Sequence, residues 1–161
     1  MIRLKTAVVL GGALKIGALV GGADMKNADL LLEFGENLGL AFQLQDDILD
    51  VYGDPEKFGK QVGGDILSNK KTYLLIKTLE LANAENKTEL NKWLALTQYD
   101  ATEKVQAVTA IYNAVNVRQH AEAEMHKYAD KAFKALDDLA LPIEKKEYLR
   151  SFADSLMVRE F

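Results

Sequence analysis

Apolar residues recur at intervals of three and four along almost the whole length of this 161-residue chain. Such spacing aligns them on one face of an α-helix, and no stretch alternates strictly enough to predict a half-buried strand. Only Pro55 and Pro142 interrupt the pattern, and both lie where one element would end and the next begin. The pattern predicts an all-α fold, a helical bundle. The predicted helices are residues 3–20, 27–52, 69–84, 87–97, 101–139 and 143–159, the long fifth helix bending or breaking once.

Local signals refine three of these helices. Asn27 can cap the second helix, with Asp29 in its first turn, where the helix dipole favours an anion. Pro142 lies at the start of the last helix, where its missing N–H costs little. In the first helix, Gly17 and Gly21 are four residues apart, so we expect a neighbouring helix to approach closely there.

The segment from Thr6 to Gly22, TAVVLGGALKIGALVGG, is apolar enough to raise the question of a membrane span. It is shorter than the ~20 residues that a span needs, and Lys15 near its middle would cost about 2.5–3.5 kcal/mol in a bilayer. It also lacks the small-residue cleavage site that ends a signal peptide. We therefore predict a buried core helix and no membrane span.

The composition excludes several classes of protein. The hydrophobic fraction of 48% and the length of one ordinary domain predict a folded globular chain. A net charge of −4 argues against a nucleic-acid-binding protein, which would carry a basic patch. Without cysteine there is no disulfide and no thiolate metal site, so we expect a cytoplasmic protein. His120 and His126 lack zinc-helix spacing, and we predict that both lie on the surface.

The stretch FQLQDDILD places three carboxylates on one arc of the second helix. At about 100° per residue, Asp46 and Asp50 lie one turn apart, and Asp47 and Gln43 fall within the same arc. One interpretation is the solvated face of an amphipathic helix. Residues 28–53, however, include six acids and no basic residue to offset their repulsion. Magnesium offers an alternative, because Mg²⁺ takes one or two carboxylates together with waters and substrate phosphates.

A stretch rich in glycine and lysine follows this arc. Its glycines, which let the backbone bend tightly and approach a ligand, are Gly59, Gly63 and Gly64. Its lysines are Lys57, Lys60, Lys70 and Lys71. Solvated surface charge explains any one lysine, and we keep that interpretation for Lys57 and Lys71. A diphosphate needs cations on both sides, so we favour a site where metal-bound carboxylates face lysine ammonium groups.

Three motifs resemble the trans-type isoprenyl diphosphate synthases, or polyprenyl synthetases. FQLQDDILD followed by GKQVGGDILSNKKT resembles the second aspartate-rich region of that family. RLKTAVVLGGALKIGA resembles the Lys-Thr helix that precedes this region, and YLRSFADSLMVREF resembles the closing helix. The motifs occur in the family's order, so the resemblance runs from end to end of the chain. It implies an isoprenoid-synthase-type helical fold.

The resemblance also implies an activity and a cofactor. The family's enzymes are prenyltransferases that condense isopentenyl diphosphate with an allylic prenyl diphosphate, with the help of Mg²⁺. By motif match, the ligands of the Mg²⁺ that bridges to the allylic diphosphate are Asp46, Asp47 and Asp50. The same match makes Lys60 and Lys70 diphosphate-binding residues and Asp65 an outer partner of the metal or of a lysine. The catalytic residues it implies are Lys5, which reaches the diphosphate, and Thr6 and Gln43, whose oxygens face the developing carbocation.

The family's first aspartate-rich motif has no match here, nor do its basic residues for isopentenyl diphosphate or the positions that set product length. The other aspartate pair, Asp137 and Asp138, lacks a third acid at the needed offset, and we predict that it lies on the surface. The resemblance thus implies that residues 1–161 are the carboxyl-terminal portion of a polyprenyl synthetase domain, truncated by cloning, proteolysis or gene annotation; a free-standing half-domain is the alternative. We expect the isolated chain to be inactive or nearly so, and apolar surface between Thr6 and Val20 to be exposed. The family usually forms homodimers, which is the expectation here.

Other functions stay open at this stage. A terpene cyclase of similar helical fold usually carries an Asn/Ser/Glu metal motif in place of DDILD. A non-catalytic partner subunit of a prenyltransferase would generally lack the three aspartates. A plain helical interaction domain would carry its acids as a solvated stripe, and Mg²⁺ with pyrophosphate would then leave its melting temperature unchanged.

Overall fold

The structure, a computed structural model, describes residues 3–54 and 62–157, with the Arg3 side chain excepted. A π-helical turn, Arg3–Ala7, leads into the first α-helix, and no strand occurs in the described ranges. The prediction of an all-α fold is therefore confirmed. The α-helices are α1 (Val8–Val20), α2 (Met25–Tyr52), α3 (Gly64–Leu67), α4 (Tyr73–Leu81), α5 (Ala84–Ala95), α6 (Ala101–Ala114), α7 (Val117–Asp137) and α8 (Ile143–Met157).

The described residues form two compact units. The first unit contains residues 3–45 and 123–157, and the second contains residues 46–54 and 62–122. The core of the first unit consists of buried side chains from α2, α7 and α8 and from the connection between the last two. Burial of each large apolar side chain in it stabilises the fold by roughly 1.5–3 kcal/mol. The core residues are Phe34, Leu38, Ala132, Ala135, Leu136, Leu139 and Ala153.

Helix α1 packs against α2 through glycines. A Cβ atom added to Gly35 would lie 2.8 Å from the Cα of Gly11, and one added to Gly39 would lie 2.8 Å from the Cα of Ala7. Contacts this short leave no room for a side chain, so glycine is required for the two backbones to approach. The expected close approach at Gly17 is wrong, because a Cβ added there would meet nothing within 4 Å.

The expectation that α1 is a buried core helix is wrong for most of its surface. Only Gly11 is buried within Val8–Val20, whereas Val9, Ile16 and Val20 are 66%, 64% and 85% exposed. The helix thus buries one narrow face against α2 and leaves an apolar face open, as expected for the segment from Thr6 to Val20. Within the described ranges, no helix combines the length and the apolar character needed to cross a membrane.

The start of α2 also differs from the prediction. The Asp24 carboxylate, rather than Asn27, accepts the backbone N–H of residue 27 at 2.8 Å, so the helix begins two residues earlier than expected. The Asn27 side-chain oxygen instead accepts the N–H of Ala140 at 3.0 Å. Asp29 pairs with Lys15. These bonds connect the start of α2 to the α7–α8 connection and to α1.

In the second unit, three helices begin at polar caps. Side-chain oxygens of Thr72, Asn83 and Asp100 accept the N–H three residues later and start α4, α5 and α6. The predicted helix over 69–84 is therefore shorter, because residues before Thr72 form a turn. The predicted break in 101–139 is confirmed: Asn116 adopts a positive φ of 52° between α6 and α7.

Candidate diphosphate and metal site

Three aspartates occupy the last turns of α2, but their environments differ. The exposed fraction of Asp47 is only 4%, whereas Asp46 and Asp50 are partly exposed. The helix places Asp46 and Asp50 one turn apart, as predicted. A buried carboxylate must find hydrogen-bond donors, because its desolvation is otherwise costly.

Asp47 finds two such donors beyond its own helix. Its Oδ1 lies 3.3 Å from the Nζ of Lys70, and its Oδ2 accepts the backbone N–H of Tyr73 at 3.3 Å. Tyr73 is the first residue of α4, so a backbone N–H at a helix start, where the helix dipole favours an anion, points at the carboxylate. Tyr73 was not among the predicted site residues, although Thr72 before an apolar run is a recognisable cap that marks this helix start.

Asp50 anchors the backbone that carries Asp65. Its Oδ2 accepts the N–H of Asp65 at 2.8 Å, and its main-chain oxygen accepts the N–H of Gly63 at 2.6 Å. Gly63 has a φ of +89°, a conformation that L side chains rarely adopt, so glycine is needed at this position. The backbone at Gly63 and Asp65 thus lies against α2 at Asp50.

Lys70 connects two of these carboxylates. Its Nζ lies 2.6 Å from Asp65 and 3.3 Å from Asp47, and its side chain is 41% exposed. The structure therefore brings Asp65 to a lysine, one of its two expected partners. Burial acts to lower the pKa of Lys70, but the hydrogen bond to Asp65 and the charge of Asp47 outweigh it and the pKa is raised. The ammonium is accordingly well suited to meet an anion from solvent.

Burial raises the pKa of two carboxylates on α2, Asp47 and Asp50. Burial raises the pKa of Asp47 above its usual value of 3.8, although the charge of Lys70 and the Tyr73 N–H act against it. Burial also raises the pKa of Asp50, against the effect of the Asp65 N–H. A divalent cation beside them would favour the charged forms, so these carboxylates gain from a bound metal.

A magnesium ion fits the donor set when a phosphate completes it. In the part of the chain that the structure describes, no three acidic or histidine side chains converge closely enough to hold a metal by themselves. Magnesium does not require this, because it usually takes one or two carboxylates, waters and phosphate oxygens. Asp46, which makes no hydrogen bond to a described residue, and Asp50 offer partly exposed oxygens one turn apart.

The remaining predicted site residues lie elsewhere or outside the described ranges. In the first unit, exposed Lys5 and partly buried Thr6 line a cavity of about 460 Å³ whose other walls are apolar, among them Leu38 and Phe42. Gln43 is partly exposed in the same unit. The predicted diphosphate ligand Lys60, together with Lys57 and Gly59, falls outside the residues that the structure describes.

Several residues that were predicted to lie on the surface do so. Asp137 pairs with Arg150, and Asp138 pairs with Lys134 at 2.9 Å, in both cases on exposed side chains. His120 and His126 are exposed. None of these four residues contributes to the aspartate–lysine cluster of Asp47, Asp50, Asp65 and Lys70, which we call the acid–lysine cluster.

Comparison with known proteins identifies relatives along the full chain. The polyprenyl synthetase family profile matches residues 1–115. The short chain isoprenyl diphosphate synthase of Methanothermobacter thermautotrophicus is 34% identical over 161 residues, which cover 99% of this chain and 48% of that protein. The chain thus spans about half the length of this curated relative.

Solved structures agree with the sequence relatives. A geranylgeranyl pyrophosphate synthase has a TM-score of 0.89 and 42% identity, over 99% of this chain and 50% of that one. The geranylgeranyl pyrophosphate synthase of Corynebacterium glutamicum, complexed with isoprenyl diphosphate and magnesium, has a TM-score of 0.86 and 31% identity, over 98% of this chain and 45% of that one. By its sequence profile and its fold, the chain belongs to the polyprenyl synthetase family.

Proposed function

We propose that this chain supplies the diphosphate- and metal-binding half of a magnesium-dependent prenyltransferase, which joins isopentenyl diphosphate to an allylic prenyl diphosphate. The observation that carries the proposal is the acid–lysine cluster. It assembles carboxylates for a cation and an ammonium for an anion from three separate elements, on a chain that belongs to the polyprenyl synthetase family.

The cluster suits a metal-bound diphosphate better than either component alone. Asp46, Asp47 and Asp50 would hold Mg²⁺, with Asp46 and Asp50 offering the more accessible oxygens. Lys70 would turn from its carboxylate partners toward phosphate oxygens, and Lys60 would bind the same diphosphate. When bound, the metal supplies Lewis-acid stabilisation of the leaving diphosphate. The related C. glutamicum protein, whose complex contains isoprenyl diphosphate and magnesium, supports this choice of ligand and metal.

The first unit contains the predicted catalytic residues Lys5, Thr6 and Gln43, which would act on the diphosphate and on the reacting carbon. In prenyl transfer, the allylic carbon–oxygen bond breaks, the double bond of isopentenyl diphosphate attacks the resulting carbocation, and a proton leaves to the departing pyrophosphate. The Thr6 hydroxyl and the Gln43 amide oxygen would stabilise the positive charge, and Lys5 would bind the diphosphate. The apolar cavity beside Lys5 and Thr6 has room for an isoprenyl group.

Turnover should need more than these 161 residues. A single carboxylate cluster can bind a metal-bound diphosphate, but the family's reaction also employs a first aspartate-rich motif, which this sequence lacks. We therefore propose that the isolated chain binds magnesium pyrophosphate and forms little or no prenyl product. We also propose a homodimer, only because members of the family usually form one. Size-exclusion chromatography with light scattering would test the oligomeric state.

The deciding experiment measures prenyl transfer. The chain is incubated with Mg²⁺, labelled isopentenyl diphosphate and an allylic diphosphate, and extended products are separated by chromatography. A chimera that joins the amino-terminal half of the M. thermautotrophicus relative to residue 1 is assayed in parallel. We expect product from the chimera, loss of that product on Asp46→Ala, and little or none from the 161 residues alone.

Each alternative result has a distinct meaning. Abundant product from the 161 residues would show that the family's first aspartate-rich motif is dispensable. A folded chimera without product, together with a chain whose melting temperature ignores Mg²⁺ and pyrophosphate, would favour a helical interaction domain over a prenyltransferase.

A further inference from the structure

Lys104 in helix α6 is a fully buried lysine. Its exposed fraction is 0%, and no carboxylate of a described residue lies within ion-pair distance of its Nζ. The Nζ instead donates to Oδ1 of Asn69 at 2.8 Å and lies 4.1 Å from the centre of the Tyr99 ring. Burial of an ammonium costs stability unless it is compensated, and here a neutral amide and an aromatic ring provide the compensation.

Both partners of Lys104 hold the turn between α3 and α4. Asn69 lies in this turn with a left-handed φ of 49°, a conformation that asparagine tolerates better than most residues. Its Nδ2 donates to the main-chain oxygen of Leu94 at 3.1 Å. The Tyr99 hydroxyl donates to the main-chain oxygen of Leu67 at 3.0 Å. Lys104 therefore contacts both residues, Asn69 and Tyr99, whose hydrogen bonds fix this turn to the rest of the unit.

The residue that follows Asn69 is Lys70, the cation of the acid–lysine cluster. Because the Lys70 side chain is 41% exposed, surrounding side chains constrain it only in part. Whether its Nζ stays near Asp65 and Asp47 depends strongly on where the backbone at residue 70 lies. A shift of about 1 Å in a charged group can abolish a productive contact.

We propose that Lys104 is a positioning residue: through Asn69 it fixes the turn that presents Lys70 to Asp47, Asp65 and, on the proposed function, to a metal-bound diphosphate. An apolar residue would fill the same buried space without the cost of a buried charge. The hydrogen bond to Asn69 explains why a lysine, rather than an apolar residue, stands at this buried position. The effect of Lys104 on the position of the Lys70 side chain can be measured without any ligand.

The first test measures the reactivity of the Lys70 amine toward an amine-acetylating reagent, read by mass spectrometry. Only the neutral amine reacts, and its ion pairs favour the ammonium, so a well-held Lys70 reacts slowly. In Lys104→Met, which keeps the side-chain length and removes the charge, we expect the Lys70 rate to rise about threefold or more, within the range of couplings seen in one hydrogen-bond network. The neighbouring Lys71 serves as the internal reference.

A second variant and a control separate positioning from general damage. Asn69→Gly tolerates the positive φ and removes the amide that Lys104 holds, together with its bond to the Leu94 carbonyl, so it should raise the Lys70 rate even if Lys104→Met fails to fold. Lys92→Met removes an exposed lysine of the same unit and should leave the rate unchanged. Because Met removes a buried charge, the melting temperature of Lys104→Met should match or exceed that of wild type.

A ligand measurement then connects the inference to function. Calorimetry with Mg²⁺ and pyrophosphate should show about a threefold to tenfold weaker affinity for Lys104→Met and no further loss when Lys104→Met is added to Lys70→Ala. A loss that persists in the Lys70→Ala background would assign Lys104 a general structural role and overturn the proposal. So would an unchanged Lys70 rate in both Lys104→Met and Asn69→Gly.

The two proposals can fail separately. Wild-type protein that shows no heat with Mg²⁺ and pyrophosphate, while the Lys70 rate rises in both variants, refutes the proposed function and supports the positioning role. If wild type binds Mg²⁺ and pyrophosphate but the Lys70 rate is unchanged in both variants, the proposed function is supported and the positioning role of Lys104 is refuted.

Discussion

Replacement of Asp47 by asparagine should separate the stability of the acid–lysine cluster from its ligand affinity. The side chain is 4% exposed and its two oxygens meet Lys70 and the Tyr73 N–H, each at 3.3 Å. Asparagine has nearly the same shape and keeps one acceptor oxygen, but it removes the negative charge. Lys70 retains Asp65 as a partner at 2.6 Å.

Two opposing effects set the stability of Asp47→Asn without ligand. Loss of the pair with a 41% exposed lysine costs about 0–1 kcal/mol, because solvent screens that attraction. Removal of a charge that burial disfavours acts in the opposite direction, as the raised pKa of Asp47 indicates. We therefore expect the free energy of unfolding to change by no more than about 1 kcal/mol, or about 2–4 °C in melting temperature at this chain length.

The effect on ligand binding should be much larger. For wild type, ligand at about 100 times its dissociation constant adds about 2.7 kcal/mol of stability, which corresponds to about 5–11 °C. Without the Asp47 charge, the metal loses part of its carboxylate environment and most of this rise should disappear. The assay is thermal unfolding followed by circular dichroism, with Mg²⁺ alone, pyrophosphate alone and both together.

An isosteric control defines what would refute this reasoning. Asp130→Asn removes an exposed acid from α7 and should leave the ligand-dependent rise intact. If Asp47→Asn keeps the full rise with Mg²⁺ and pyrophosphate, the carboxylate does not serve the ligand. If it lowers the melting temperature without ligand by far more than 4 °C, the cluster is a structural ion pair and the energetic argument is wrong.

Three further predictions follow from burial, glycine geometry and charge. As the pH is lowered, the affinity for Mg²⁺ with pyrophosphate, measured by calorimetry, should begin to fall at a higher pH than an aspartate of pKa 3.8 would cause. The reason is that burial raises the pKa of Asp47 and Asp50, and protonation of these carboxylates competes with metal binding. A loss of affinity that follows a pKa of 3.8 would contradict this. Because the pKa of Asp47 and of Asp50 is raised on folding, the folded state binds more protons than the unfolded state just above pH 3.8. These two groups therefore make the ligand-free protein less stable as the pH rises through that window. The double variant Asp47→Asn/Asp50→Asn should reduce this dependence of the free energy of unfolding on pH, measured by urea unfolding. Gly63→Ala should destabilise the protein by about 1–3 kcal/mol in urea unfolding, because φ is +89° and the new Cβ would lie 2.6 Å from the Val105 side chain. Gly12→Ala is the control: its Cβ would meet nothing within 4 Å, so the substitution should be neutral or stabilising. Equal effects of the two substitutions would refute the geometric argument.

The helices could be predicted from the sequence because their signals are local. A period of three to four apolar residues, two prolines and polar caps such as Thr72 act within one or two turns of their own position. The same locality placed Asp46 and Asp50 one turn apart on α2. Where two local caps competed, the prediction was wrong: Asp24 starts α2, and Asn27 bonds to a distant residue.

Contacts between distant residues required the tertiary structure. The spacing of Asp46, Asp47 and Asp50 was visible in the sequence, but which of them is buried depends on where α4 and the turn before it pack. Likewise, glycines four apart suggested Gly17 and Gly21 as the point of helix contact, whereas the backbones meet at Gly11 and Gly35. Periodicity determines which face of a helix is apolar, but it contains no information about which partner helix covers that face. Burial, pKa and the reach of Lys70 all depend on that partner.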